Sequence, residues 1–196
     1  MEVVFVKKLP IYKQTLSKNL IARYYENTMV DGIGVRNSLY VTGCLFNCKG
    51  CYNKSIQNFN NGEPFTKEMF EKIVKDLEPN HIDGLTLLGG EPLLNLNMLL
   101  PLVNKIREVY GNTKTIWSWT GFTWEELMEI VEEENEDASK IKEYLSNIDI
   151  LVDGRFIQEE FEHGLTFRGS RNQRIINVPE SLKFGKIILW KNGIYK

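Results

Sequence analysis

Three cysteines, Cys44, Cys48 and Cys51, are the only ones in 196 residues, and they share one eight-residue window. Thiolates are the natural ligands of iron–sulfur clusters, and a four-iron cubane normally takes four. A Cys-x3-Cys-x2-Cys triplet can hold three irons and leave the fourth open to a small molecule. A vacant coordination position marks a catalytic site, by the logic that separates open zinc sites from closed ones. A structural zinc site would need a fourth ligand. Only His81 and His163 could supply it, and neither sits at finger-like spacing. A disulfide framework fits poorly with an odd cysteine count and with 42% hydrophobic residues, which can bury a core without staples.

A second group follows at Gly89-Gly90-Glu91-Pro92. Paired glycines let backbone approach a ligand closely or adopt positive φ, and Glu91 offers a carboxylate to an ammonium group. Taken alone, these residues also read as a plain strand-to-helix turn.

The elements that must position these groups alternate. Val3–Val6 and Ser38–Thr42 are apolar and β-branched, and the second runs directly into Cys44. The cysteine window has neither helical nor strand period and reads as a loop. Thr66 caps an amphipathic helix carrying Met69, Phe70, Ile73, Val74 and Leu77. Leu85–Leu88 is a short apolar run of the kind buried in parallel sheets. Leu96–Tyr110 reads as a helix, with Pro101 best tolerated near its first turn. Thr115–Trp119 is a strand. Thr123 and Glu126 form a capping box that opens a helix through about Glu134. Glu132–Asp137 reads as a solvated turn, Ile141–Leu145 as helix, and Ile148–Val152 as a buried strand.

This alternation predicts βαβ units in an α/β fold, where ligands gather at the carboxyl ends of parallel strands. Four segments fall at such ends: the cysteine loop, Gly89-Gly90-Glu91, Ser118-Trp119-Thr120-Gly121 and Asp153-Gly154-Arg155. They are expected on one face.

Composition bounds the rest. A net charge of −2 leaves no electrostatic footprint for nucleic acid. No run of about 18 apolar residues predicts a membrane span. The N-terminus lacks the order of a signal peptide. One domain over residues 1–196 and a cytoplasmic location are expected, since clustered free thiols suit a reducing compartment.

The cysteine triplet followed by Gly-Gly-Glu resembles the radical S-adenosylmethionine superfamily. Further segments sharpen this: Asp31-Gly32-Ile33-Gly34-Val35-Arg36, Cys51-Tyr52-Asn53, Trp117–Phe122, Ile148–Gly154 and Phe167-Arg168-Gly169-Ser170-Arg171-Asn172-Gln173-Arg174. In this order, over about residues 20–178, they resemble the activating proteins of the anaerobic ribonucleoside-triphosphate reductases.

That resemblance implies a single domain built as an open, partial TIM-like (βα) barrel with a mostly parallel sheet. It implies a four-iron cluster on Cys44, Cys48 and Cys51, its open iron chelated by the amino and carboxylate groups of S-adenosylmethionine. The implied enzyme is an oxidoreductase that cleaves this cofactor reductively. The resulting 5′-deoxyadenosyl radical takes a hydrogen from a glycine of the reductase large subunit. Gly89, Gly90 and Glu91 would hold the methionine portion, and Gly50 and Tyr52 the adenine. Asp153 is a candidate polar contact to the ribose or methionine group, or a turn residue before Gly154. Trp119 and Thr120 could border the pocket or pack. Implied partners are the reductase large subunit and a one-electron donor such as flavodoxin or ferredoxin, in a homodimer or a hetero-oligomer with the reductase.

Two positions depart from the family pattern. Phe46 stands where histidine is frequent, and Ile33 where proline is. Arg168, Arg171 and Arg174 read as a docking surface, as anion contacts, or as a solvated turn. Three other readings remain open at the level of sequence: activation of another glycyl-radical enzyme such as pyruvate formate-lyase, radical chemistry on a small molecule, and a zinc-stabilised binding module.

Overall fold

The computed structural model describes residues 14–191, so the expected strand Val3–Val6 lies outside the described residues. Seven strands form one open sheet in the order β3-β1-β2-β4-β5-β6-β7. They are β1 Leu20–Thr28, β2 Arg36–Val41, β3 Glu63–Pro64, β4 Gly84–Gly89, β5 Thr115–Trp119, β6 Ile150–Asp153 and β7 Arg174–Asn177. The central four, β2, β4, β5 and β6, run parallel, as the expected partial barrel requires. The flanking strands β1, β3 and β7 pair antiparallel.

The helices are α1 Lys67–Lys75, α2 Leu96–Tyr110, α3 Trp124–Val131, α4 Glu136–Ser146 and α5 Val178–Phe184. Thr66 caps α1, accepting from the Met69 amide, and the Thr123–Glu126 capping box opens α3 as expected. Pro101 sits at the sixth residue of α2 rather than in its first turn. The acidic stretch 132–137 divides, because Asn135 accepts from the Ala138 amide and starts α4 at Glu136. Strands β1 and β7 and helix α5 were not foreseen. Outward residues of β1 are largely exposed, which leaves little apolar alternation to read.

The two sheet faces differ chemically. Leu39, Val41, Leu85, Leu87, Ile116 and Leu151 turn to the helices and join the aliphatic core. Alternate positions put Arg36, Ser38, Tyr40, Thr86, Leu88, Trp117 and Trp119 on the opposite face. There Arg36 is buried and spans three strands. It donates to Thr86 Oγ1 (2.8 Å), the Leu85 carbonyl (2.8 Å), and the Thr115 hydroxyl and carbonyl (2.7 and 2.8 Å). Its guanidinium lies 5.5 Å from the Trp117 ring centroid. Thr86 Oγ1 in turn donates a hydrogen bond to the Asp31 carbonyl (2.7 Å), fixing the β1–β2 loop.

A lysine cannot reproduce this planar fork. Arg36→Lys is expected to strand buried acceptors and cost about 3 kcal/mol. Thermal unfolding should show this as a Tm lowered by roughly 6–12 °C.

Candidate functional site

The cysteine loop grows directly from the end of β2. Its root is closed by bonds from Gly43 N to Ile56 O (2.8 Å) and Cys44 N to Gln57 O (2.9 Å). The Gly-Gly turn after β4 presses on the same root. Gly90 N donates to Val41 O (2.8 Å) and Glu91 N to Gly43 O (2.7 Å). A Cβ on Gly90 would lie 2.4 Å from the Gly43 carbonyl oxygen, so only glycine allows this approach.

Glu91 is buried beneath that turn. Its carboxylate accepts from Leu93 N (3.0 Å), Thr120 Oγ1 (2.9 Å) and Gly121 N (2.8 Å). Burial pushes its pKa up to about 7, against the opposing pull of those donors and of Arg155. Glu91 therefore ties the β4 turn to the β5 turn and keeps a carboxylate ready to ionise near neutrality.

All four strand-end segments line one cavity of about 880 Å³, in the range of ligand pockets. Cys44, Cys48 and Cys51 meet Gly89, Gly90 and Glu91 there, with Trp119, Thr120, Gly121, Gly154 and Arg155 closing the circuit. Gly50 and Tyr52 are also on the wall, and Tyr52 is 98% exposed at the rim. Phe46 fills the gap between the cysteine loop and the β5 turn. Its ring meets Phe122 edge-on at 4.9 Å, and a Cβ on Gly121 would collide with it at 2.3 Å.

Both oxygens of Asp153 are engaged within the protein. Oδ1 accepts from Arg174 Nε (3.0 Å), and Oδ2 accepts from the Trp124 amide (2.7 Å) and from Arg174 Nη2. Asp153 lines a second, adjacent cavity rather than the main one. Arg174 also grips Glu125, holding that carboxyl down to about 2. Arg168 donates to the Gln173 carbonyl, and exposed Arg171 lies 3.8 Å from Glu162.

Sequence reasoning placed Arg155 in a strand-end segment on the site face but gave it no role. Among the described residues it is the one cation lining the main cavity. Its guanidinium stands 4.6 Å from the Phe46 ring centroid and pairs with Glu126 at 2.9 Å. A lone positive charge just past a strand end is the signal that could have found it.

The donor set suits an iron–sulfur cluster better than a single metal ion. Three thiolates give one ligand to each of three irons, and the cavity they line has no histidine among its described residues to complete a four-ligand zinc set. A zinc ion would need sulfurs about 2.3 Å from one centre, whereas a cubane takes each thiolate on a different iron. Backbone amides at Phe46 and Phe156 favour the thiolate forms of Cys44 and Cys48, against the larger effect of burial. Burial pushes the Cys44 thiol up to about 12 and also raises Cys48, so cluster assembly must release protons.

The comparisons agree with this chemistry. Residues 30–176 match a family described as a 4Fe-4S single cluster domain. The chain is 42% identical over 157 residues to the anaerobic ribonucleoside-triphosphate reductase-activating protein of Vibrio cholerae, covering 78% of this chain and 94% of that one. The Escherichia coli K12 protein of that name is 41% identical over 77% of this chain and 94% of its own. The protein of that name from enterobacteria phage T4 is 35% identical over 78% and 90%. The chain belongs to the family of anaerobic ribonucleoside-triphosphate reductase-activating proteins.

Proposed function

We propose that this protein activates an anaerobic ribonucleoside-triphosphate reductase by generating a glycyl radical in its large subunit. The convergence of the three cysteines, the Gly-Gly turn and the buried Glu91 in one cavity carries the reading. A four-iron cluster held by these cysteines, with S-adenosylmethionine beside it, would supply the reducing electron and the carbon radical needed to take a hydrogen from the glycine.

The chain's own residues bind, orient and shield. Cys44, Cys48 and Cys51 would hold the cluster. The backbone at Gly89 and Gly90 receives the methionine portion, and ionised Glu91 accepts a hydrogen bond from its amino group. Arg155, the cation on the opposite wall, takes the carboxylate. Gly50 leaves room beside the adenine, and the exposed Tyr52 ring stacks on it. Asp153 acts indirectly, by fixing Arg174 and the start of α3 next to Arg155. Shielding matters because a primary carbon radical attacks whatever hydrogen it meets.

Among the described residues no helix is long and apolar enough to cross a membrane. A cytoplasmic setting, a one-electron donor and association with the reductase complete the proposal.

The test is anaerobic. Reconstituted protein is reduced and given S-adenosylmethionine, with and without the reductase large subunit. A glycyl-radical doublet in the electron paramagnetic resonance spectrum that requires both proteins is the expected result. Release of 5′-deoxyadenosine with no doublet would keep the cofactor chemistry and overturn the partner.

A further inference from the structure

We propose that Phe46 is a positioning residue, whose ring holds the Arg155 guanidinium where the carboxylate of S-adenosylmethionine arrives. This rests on the reading above, in which Arg155 takes that carboxylate.

Arg155 is well fixed at its backbone and poorly fixed at its side chain. Asn172 Nδ2 donates to the Arg155 carbonyl (2.8 Å), and Gln173 Nε2 donates to the Gly154 carbonyl (2.9 Å). The side chain is 37% exposed. Its only side-chain hydrogen bond among the described residues runs from Nη2 to Glu126 Oε1 (2.9 Å). Glu126 is held in turn, because its Oε2 accepts from the Thr123 amide (2.9 Å) in the capping box of α3. One bond at the tip lets an arginine swing about it and leaves its other N–H groups uncommitted. A long, unrestrained side chain gives up rotamer freedom when it binds a ligand, and affinity suffers.

Phe46 removes that freedom. Its ring centroid lies 4.6 Å from the guanidinium carbon, within cation–π range. The ring is itself wedged. Phe122 meets it edge-on, with 4.9 Å between centroids and 79° between planes. It also packs on Gly121 so closely that a Cβ there would stand 2.3 Å from the ring carbon Cδ2. The Gly121 amide is one that donates to Glu91 Oε2 (2.8 Å). One ring therefore touches both the cation that meets the carboxylate and the turn that holds the Glu91 anion. It fixes their separation, and an α-amino acid presents its amino and carboxylate groups at one spacing. Histidine, frequent at this position, would set a polar edge beside the guanidinium, and a charge when protonated. Phenylalanine offers it a neutral π face. Phe46 and Arg155 also belong to the wall shared by the two cavities. With the ring gone, Arg155 has the second cavity, of about 500 Å³, to swing into.

The experiment uses the reconstituted holoprotein, unaltered and as Phe46→Leu, Arg155→Met and the double variant. Iron content is measured first. Equilibrium binding follows, of S-adenosylmethionine and of its decarboxylated analogue, which lacks the carboxylate. Phe46→Leu should weaken S-adenosylmethionine binding roughly 3- to 30-fold. Its affinity for the decarboxylated analogue should change by less than about twofold. In the Arg155→Met background Phe46→Leu should have no further effect, because nothing is left to aim. Equal losses for the two ligands, or losses that add in the double variant, would overturn the inference and leave Phe46 a packing residue. So would a Phe46→Leu protein that takes up no iron, since the ring would then support the cysteine loop itself. An Arg155→Met protein that lost both ligands alike would bring down the inference together with the carboxylate role of Arg155. Failure of the unaltered protein to assemble any cluster would instead sink the functional reading beneath both.

Discussion

Replacing Cys48 with alanine is expected to abolish both the cluster and glycyl-radical formation while leaving the fold intact. Cys48 is partly exposed at the wall between two cavities and contributes little to the core. Its loss should cost no more than the usual surface-like change, within about 1 kcal/mol. Its chemical loss is total, because the chain holds no other cysteine to replace it. Two thiolates cannot retain a cubane whose fourth iron is already given to a small molecule. The measurement is iron and sulfide content after reconstitution, alongside circular dichroism and the radical signal. A folded variant with no brown chromophore and no doublet is the expected outcome. A Cys48→Ala protein that kept four irons and activated the reductase would remove Cys48 from the ligand set. Cys44→Ala should lose the cluster equally but destabilise more, since Cys44 is the more deeply packed thiol at the root of the loop.

Much of this site was legible because its parts are local in sequence. The cysteine spacing, the Gly-Gly-Glu turn and the capping box at Thr123 each announce themselves within a few residues. That β2, β4, β5 and β6 run parallel followed from buried apolar runs alternating with helices, and from it the shared face of four loops. What stayed hidden depends on contacts far apart in the chain. Arg36 reads as a surface charge until Thr86 and Thr115, on two neighbouring strands, surround it. Asp153 looks like an open carboxylate until Arg174, 21 residues later, returns along β7 to occupy it. Phe46 reads as a departure from a family pattern, yet the space it fills is set by the glycine at position 121 and by Phe122. Strand β1 was missed because it buries only Ile21, and its remaining residues, exposed or half-exposed, show no apolar alternation.

The binding of S-adenosylmethionine should strengthen as pH rises toward 7 and level off above it, and Glu91 is the reason. In the free protein, burial raises this carboxyl from its ordinary 4.5 to about 7. Its contribution to folding stability is therefore present below about 4.5 and is lost as pH rises through about 7. The protein carries an unpaired buried anion above that point. An amino group entering the cavity donates an N–H to this carboxylate and so prefers the ionised form. Below about 7 each pH unit should then weaken binding up to tenfold, since one proton must be expelled for each ligand bound. Glu91→Gln removes both the charge and the fit. Three donors converge on the carboxylate, from Leu93, Thr120 and Gly121, and an amide offers them a single oxygen while turning its own N–H groups toward the rest. Hydrogen bonds to a charged group are worth about 1.5–3 kcal/mol, so affinity should fall roughly 10- to 100-fold. The remaining binding should no longer vary with pH between 5.5 and 8. Equilibrium titration of the reconstituted protein across that range measures both effects. A flat profile in the unaltered protein would mean that the amino group donates elsewhere. In that case Glu91 would serve only to bind the β4 turn to the β5 turn, and its replacement would lower thermal stability without a specific loss of affinity.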